Sequence, residues 1–417
     1  MPSANRRLTL RMQPTPAQAL ELDRLRWMHQ QLYNAALEAR IGAYKKGVSI
    51  SFYDQAKELT QLRAEDSDFR AMTQRTQNMT LRRLDRAFQA FFRRVKAGQT
   101  PGFPRFQSIQ RFSGWSSSRG DGYRYTPKKT PEGRWFNGRL TLKGVGAIRC
   151  QGKARNVGGE IKQIDITKRA GRWFVSFAVA YEDVDRKGGT RAAGLDWGVN
   201  DYATLALADG TTMSVANDRL FQAQQLATAQ RQRKASKSLR GKRSNRAKAK
   251  HMQIARAHAK LANQRKDRAH KLSAKLVAEY ALIVTEKLQI ANMTRSAKGT
   301  TEKPGKKVAQ KAGLNREILD TAPGMLISYI KYKAEEAGTI LEVINTRKAK
   351  PSQTCPKCWA QAKKTLAERV HVCSCGCAMS RDGAAALVML LSSKTYTGQK
   401  LTPGLPPKTP PKAASAV

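Results

Sequence analysis

Three carboxylates and five thiols stand out in this 417-residue chain because of where they sit. Asp196 closes the apolar run "AAGLD", Glu286 closes "ALIVTE", and Asp382 opens the apolar stretch "SRDGAAALVMLL". Each acid therefore borders a hydrophobic element, at the edge of a core. A lone acid in such a place is usually a cap or half of an ion pair. Three brought together repel strongly and have to be neutralised. Two divalent cations do that, and hard carboxylate oxygens suit Mg2+ or Mn2+. Such a pair of ions clamps the attacking and the leaving oxygen of a phosphodiester. The thiols point to a different metal. Cys355 and Cys358, in "CPKC", form a knuckle with metal-ligand spacing, and Cys373, Cys375 and Cys377 follow in "CSCGC". Cys373 and Cys375 are two apart, share a face in extended chain, and can reach one ion together. Cys377 is a spare candidate. Four thiolates make a closed Zn2+ site that is structural rather than catalytic. Cys150 lies far from the cluster and reads as a core residue. His270 and His371 read as solvated or phosphate-contacting and are assigned to neither site.

Patterning predicts the elements that must hold these groups. "RRLTLRM" alternates like a short strand. Thr15, Pro16 and Gln18 then spell a helix start: an N-cap, a proline at the first helical position and a capping-box partner. Leu25, Met28, Leu32 and Ala36 form its apolar stripe. A second helix covers "TQNMTLRRLDRAFQAFFRRVKAG", with Leu81, Leu84, Phe88 and Phe91 on one face and Arg82, Arg86, Arg93 and Arg94 beside them. From about Arg111 to Tyr181 the period is two, clearest at Trp173, Val175, Phe177 and Val179. The helices of residues 14–97 thus look inserted between the first strand and a β region. Beyond a charged, glycine-rich run the pattern becomes α/β. It gives a strand ending at Asp196, a hairpin turning at Asp209-Gly210, a long basic stretch of helical hairpins, and a strand ending at Glu286. Next come one helix from "NREILD" to a stop at Gly338, the strand "TILEVIN", the cysteines, and the helix that follows Asp382. "SAKGTTEKPGKKVAQKAG" reads as a mobile basic loop. The last residues, 394–417, are rich in Pro, Lys and Ala and are expected to be disordered.

Charge narrows the function class. The chain carries 77 Lys+Arg against 31 Asp+Glu, a net charge of +46, spread along most of its length rather than confined to a tail. Such an excess repels itself unless a polyanion shares the space, and nucleic acid is the obvious one. No apolar run approaches membrane-spanning length, and the opening residues lack the apolar segment of a signal peptide. A cytoplasmic, nucleoid-associated protein of a prokaryote is expected, where clustered cysteines bind metal rather than pair.

"GLDWGV", "IVTEKL" and "SRDGAAA" resemble the three motifs of RuvC-type nucleases. With "CPKC…CSCG" ahead of the last acid, they resemble the TnpB family of transposon-encoded, RNA-guided nucleases, relatives of compact type V CRISPR effectors. "LRRLDRAFQAFFRRVKAGQTPGFPRF", "NQRKDRAHKLSAKLVAEY", "YIKYKAEEAG" and "KPSQTCPKC" extend the resemblance over most of residues 1–390. The resemblance implies an α+β multidomain fold. In it, a ribonuclease H-like (RuvC) domain at 189–350 and 379–393 carries a zinc ribbon at 351–378. An oligonucleotide-binding-like β wedge, at 1–13 and 98–188, carries a helical recognition domain at 14–97. It makes Asp196, Glu286 and Asp382 the catalytic metal-binding triad, and Cys375 the last zinc ligand of the set Cys355, Cys358, Cys373 and Cys375. Its partners are a guide RNA and double-stranded target DNA with a short flanking motif. An effector with an array-derived guide and a non-cleaving guided regulator are the alternatives. Two positions depart from the family pattern. Ala384 replaces an Asn in the last motif, and Val372 replaces the expected first cysteine of the second pair.

Overall fold

In the computed structural model, the described residues are 4–118, 120, 122–129, 135–152, 160–181, 186–220, 222, 229–230, 232–233, 244–365 and 367–397. The chain divides into two units, residues 1–184 and 185–417.

Strand β1 (Ala4–Gln13) opens the first unit. Thr15 then starts helix α1 (Pro16–Lys45) with the full reciprocal cap: its side chain accepts from the Gln18 N–H, and Gln18 answers its backbone N–H. Such a cap is worth about 1 kcal/mol. Two helices that the sequence pattern does not announce follow, α2 (Phe52–Glu65) and α3 (Ser67–Ala71), and then α4 (Gln74–Lys96). Their shared core holds Leu32, Tyr33, Leu37, Leu59, Leu81, Leu84 and Phe112. Strands β2 (Gly114–Ser118), β3 (Tyr123–Lys129), β4 (Trp135–Leu142), β5 (Gly146–Gln151), β6 (Glu160–Arg169) and β7 (Arg172–Tyr181) complete a seven-stranded sheet. Its order is β2-β6-β7-β1-β5-β4-β3, so β1 lies inside a sheet whose other strands come after the helices in the chain. Trp173, Val175, Phe177 and Val179 are all buried, as their alternation predicts.

The second unit begins with β8 (Arg191–Asp196) and the hairpin of β9 (Asp201–Ala206) and β10 (Thr212–Ala216), which turns at Asp209-Gly210. The described basic stretch is one helix, α5 (Asn245–Glu279), rather than a hairpin. Nothing between Asn245 and Glu279 is Gly or Pro, so nothing there breaks it. The residues just before it, where a further helix was expected, lie mostly outside the described residues, as do residues 398–417 of the tail. Strand β11 (Tyr280–Glu286) follows, then the short helix α6 (Ile290–Met293) and α7 (Val308–Thr321). The expected single helix up to Gly338 is divided. Pro323 has no N–H to give and crowds the residue before it, and Ala322 turns left-handed at φ 50°. Helix α8 (Pro323–Ala337) therefore starts afresh and stops at Gly338. Strand β12 (Ile340–Ile344), helix α9 (Thr346–Ala349), the small hairpin of β13 (Val370–Val372) and β14 (Ala378–Ser380), and helix α10 (Arg381–Leu391) complete the unit.

The sheet of this unit has the order β10-β9-β8-β11-β12. Strand β11 runs parallel to both β8 and β12, while β9 is antiparallel to β8 and to β10. Both faces are covered. On one, Ala193, Leu195 and Ile283 pack with Leu272, Leu276 and Val277 of α5 and Leu326 and Ile330 of α8. On the other, Leu282 and Val284 pack with Met389 and Leu390 of α10. Double coverage explains why these strands read as unbroken apolar runs.

Candidate active site and cysteine cluster

Side chains on a strand alternate between faces. Leu195 of β8 faces the α5 and α8 layer, so Asp196 points to the side of α10. Leu282 and Val284 of β11 face α10, and Glu286 shares their parity. Leu195 lies opposite Thr285 in the parallel register, which puts the two acids side by side at the strands' ends. Behind them the Thr285 hydroxyl donates to the Leu195 carbonyl at 2.9 Å and locks that register.

Asp382 arrives from above. Ser380 caps α10 by accepting from the Gly383 N–H at 3.1 Å, and Asp382 sits in the first turn. The next three residues after Gly383, Ala384, Ala385 and Ala386, are buried and small, so the helix backbone comes down onto the sheet. A methyl group on Gly194 would lie 1.8 Å from the Ala386 carbonyl oxygen. Only glycine at that position admits the helix.

Burial and mutual repulsion both act on the acids. Burial pushes the Asp196 carboxyl well above its ordinary value, and the charges of Glu286 and Asp382 push it further. The Trp197 N–H and the Arg381 cation offset part of this. Burial also raises Glu286. This is a site short of positive charge, and hard divalent cations suit such a donor set. Elements separated by nearly two hundred residues thus bring the three sequence-predicted acids to the α10 side of one sheet, although among the described residues the groups with donor atoms all within 4.8 Å of one another are two cysteine sets and not these acids.

The cysteine cluster lies just before Asp382 in the chain. The sulfurs of Cys355, Cys358, Cys373 and Cys375 all lie within 4.8 Å of one another. Cys355 and Cys375 are 3.6 Å apart, and Cys358 and Cys373 are 3.5 Å apart. Tetrahedral zinc with bonds of about 2.3 Å needs sulfurs roughly 3.8 Å apart, so the spacing fits. Gly376 turns the second pair at φ 79°, where its N–H donates to the Cys373 carbonyl at 3.0 Å. Burial works against a Cys355 thiolate. The N–H groups of Cys358 and Lys357 and the His371 ring outweigh it and bring that thiol down to about 5.

His371 departs from expectation. It is 3% exposed, too buried for solvent or phosphate, and a ring nitrogen approaches Cys355 and Cys377. The alternation of "VHVCSC" carried the signal, because His371 shares strand parity with Cys373. His270 is half-buried and stacks on Tyr329 at 3.9 Å. Cys150 is buried in the β core, where burial pushes its thiol up to about 12.

Two contacts that no motif announces tie the knob to the acids. The Arg381 guanidinium donates to the carbonyls of Thr365 at 2.5 Å and Glu368 at 3.3 Å. Asn200, four residues after Asp196, accepts from Arg369 at 3.1 Å when its amide oxygen faces the guanidinium.

Comparison with known proteins adds a family frame. A family model described as a probable transposase, OrfB_IS605, matches residues 176–297, and a Cas12f1-like TNB domain model matches residues 324–389. The chain is 32% identical over 289 residues to an Escherichia coli (strain K12) protein provisionally named RNA-guided DNA endonuclease InsQ. That match covers 68% of this chain and 65% of the relative, slightly under two thirds of its length. It is 30% identical over 394 residues to a provisionally named RNA-guided DNA endonuclease of Streptomyces pristinaespiralis, covering 93% of this chain and 89% of that one. Among solved structures, the fold resembles a cryo-EM structure of a Cas12f1-sgRNA-target DNA complex. The TM-score is 0.54 at 12% identity, over 93% of this chain and 98% of that one. At such identity the likeness speaks to the fold alone. No described helix is long and apolar enough to cross a membrane.

Proposed function

The chain belongs to the TnpB-like family of these relatives, and from that premise we propose that it is a transposon-encoded, RNA-guided DNA endonuclease. It binds a guide RNA, reads a short motif beside the target in duplex DNA, and leaves recognition of the target to base pairing. It cleaves DNA at one site, formed by Asp196, Glu286 and Asp382. The observation that carries this reading is that the three acids lie on the α10 side of one sheet, with Asp196 raised by burial and then by the charges of Glu286 and Asp382.

We assign the sheet of the second unit, with α5, α8 and α10, to a ribonuclease H-like (RuvC) nuclease domain at 189–350 and 379–393. The ribbon is 351–378, the β wedge 1–13 and 98–188, and the helical recognition domain 14–97. Support comes from the mixed strand order, in which β8 sits between the antiparallel β9 and the parallel β11.

Asp196, Glu286 and Asp382 would hold Mg2+ or Mn2+, which would supply activation of a water and neutralisation of charge on the leaving oxygen. The chain's own residues set up that chemistry. The Thr285–Leu195 bond fixes the separation of Asp196 and Glu286. Gly194 admits α10 and so delivers Asp382. Cys355, Cys358, Cys373 and Cys375 would hold a structural Zn2+, which would stiffen the ribbon. Arg381, bonded to that ribbon, carries its rigidity to the residue beside Asp382.

Purifying the protein from cells carrying its native locus, and sequencing the RNA that comes with it, tests the reading. RNA from one transposon end supports it, together with guided cleavage that Asp196→Ala abolishes without loss of guided binding. Array-repeat RNA would instead make the chain a CRISPR-type effector. No discrete RNA, or unchanged cutting by Asp196→Ala, would overturn it.

A further inference from the structure

A four-cysteine site leaves Cys377 over. It is not isolated. Its sulfur, the sulfur of Cys355 and a ring nitrogen of His371 all lie within 4.8 Å of one another. The histidine is placed like a ligand. It is 3% exposed, Lys364 engages its Nδ1, and its Nε2 has no hydrogen-bond partner among the described residues. A buried ring nitrogen that meets no conventional hydrogen-bond partner, only the nearby cysteine sulfurs, is costly. A metal-bound imidazole donates its other ring N–H to an acceptor, and an ammonium is none, so Lys364 must leave Nδ1 when Nε2 takes a metal. Local pairing builds the arrangement. His371 sits opposite Met379 in the β13–β14 hairpin, and the Cys373 N–H donates to the Cys377 carbonyl at 3.0 Å, so His371 and Cys377 stand two rungs apart and share strand parity.

We propose that Cys355, His371 and Cys377 form a second ligand set for a thiophilic divalent ion such as Zn2+, overlapping the four-cysteine set at Cys355. Two thiolates and an imidazole are a familiar zinc donor set, and the fourth position stays open to water. Ligation through Nε2 puts the ring hydrogen on Nδ1, and the half-exposed Lys364 has room to turn away from it. The ion then has two addresses that share one thiolate. It can move between them without leaving the ribbon, and losing one distal cysteine does not empty the site. The proposal rests on the cysteine cluster binding such an ion at all, and the test separates the two.

The test uses the full-length protein, with zinc content after dialysis against a mild chelator and visible absorption of the Co2+-substituted form. Wild type is expected to hold one ion with a four-thiolate spectrum. Cys358→Ser, and independently Cys373→Ser, should keep most of the metal, with the Co2+ bands moved to higher energy by the nitrogen donor. Adding Cys377→Ser or His371→Ala to either should cut the bound metal at least tenfold, and Cys355→Ser alone should do the same. If Cys358→Ser and Cys373→Ser both lose metal as completely as Cys355→Ser, the second set does not exist. Nor does it exist if they keep the metal and adding Cys377→Ser changes nothing. A wild-type protein without bound metal would overturn this inference and the four-cysteine reading together.

Discussion

Gly194 and Ala386 touch backbone to backbone: a methyl group on Gly194 would sit 1.8 Å from the Ala386 carbonyl oxygen. The contact is two residues from Asp196 on the strand and four from Asp382 on the helix. The distance between two of the three acids is thereby set by a position with no side chain. Gly194→Ala should force α10 off the sheet. Destabilisation of at least the ~1–3 kcal/mol usual for overpacking is expected, since backbone rather than a flexible side chain must move. Thermal unfolding should show a Tm lower by several degrees. Cleavage should fall more than guided binding, and a variant that cuts normally would show that the helix position does not matter.

Asp196 is raised by burial and by Glu286 and Asp382, which fixes a sign. An acid whose folded pKa exceeds its unfolded one favours the native state most at low pH. Stability is lost as pH climbs from near the ordinary 3.8 through the raised folded value. In chelator, Asp196→Asn should therefore be more stable than wild type at neutral pH, and the gap should close toward pH 4. Mg2+ should stabilise wild type and not the variant. Melting curves across pH, with and without Mg2+, measure both. A variant less stable than wild type at neutral pH in chelator would contradict the crowded-acid description.

The acids were legible because each ends or opens an apolar run, a pattern that survives in a single sequence. What faces them was not. "AAGLD" and "ALIVTE" are apolar on both faces, since α5 and α8 cover one side and α10 the other, so periodicity could not say which way Asp196 and Glu286 point. Knuckle spacing marked Cys355 and Cys358, the family resemblance implied Cys375, and extended-chain parity added Cys373, with Cys377 as a spare; the first four sulfurs do cluster. His371 was misplaced because its surroundings come from Lys364 and Cys355, which local pattern does not reveal. The break at Ala322 was overlooked, although Pro323 stood in plain view.

Arg381 separates two roles that a single variant would confuse. It donates to the Thr365 and Glu368 carbonyls of the ribbon, and its charge holds Asp196 below where burial alone would leave it. Arg381→Met removes both. Arg381→Lys keeps the charge but loses the planar fork that reaches two carbonyls. The acidic limb of the cleavage pH profile should move to higher pH in Arg381→Met and stay near its wild-type place in Arg381→Lys. Both variants should make the ribbon more open to protease. Equal pH profiles for wild type and Arg381→Met would remove the electrostatic role.

The net charge of +46 makes a prediction about salt. Each phosphate neutralised by Lys or Arg releases condensed counterions, so affinity falls as a power of salt concentration. Helix α5 alone spans 35 residues and is dense in Arg and Lys, with exposed members such as Lys248, Arg256 and Lys260. Its length offers a row of cations that a phosphate backbone could match. Binding of a structured RNA should therefore weaken roughly 1,000-fold or more between 50 and 200 mM salt, the fall expected for six or more phosphate contacts. Replacing Lys248, Arg256 and Lys260 together by Gln should reduce the steepness of a log–log plot as well as the affinity. Replacing buried cations such as Lys333, which bonds to the His270 carbonyl at 2.6 Å, should lower the Tm and leave that slope unchanged. A salt response flat in wild type, or a slope untouched by the triple substitution, would remove α5 from the nucleic-acid surface.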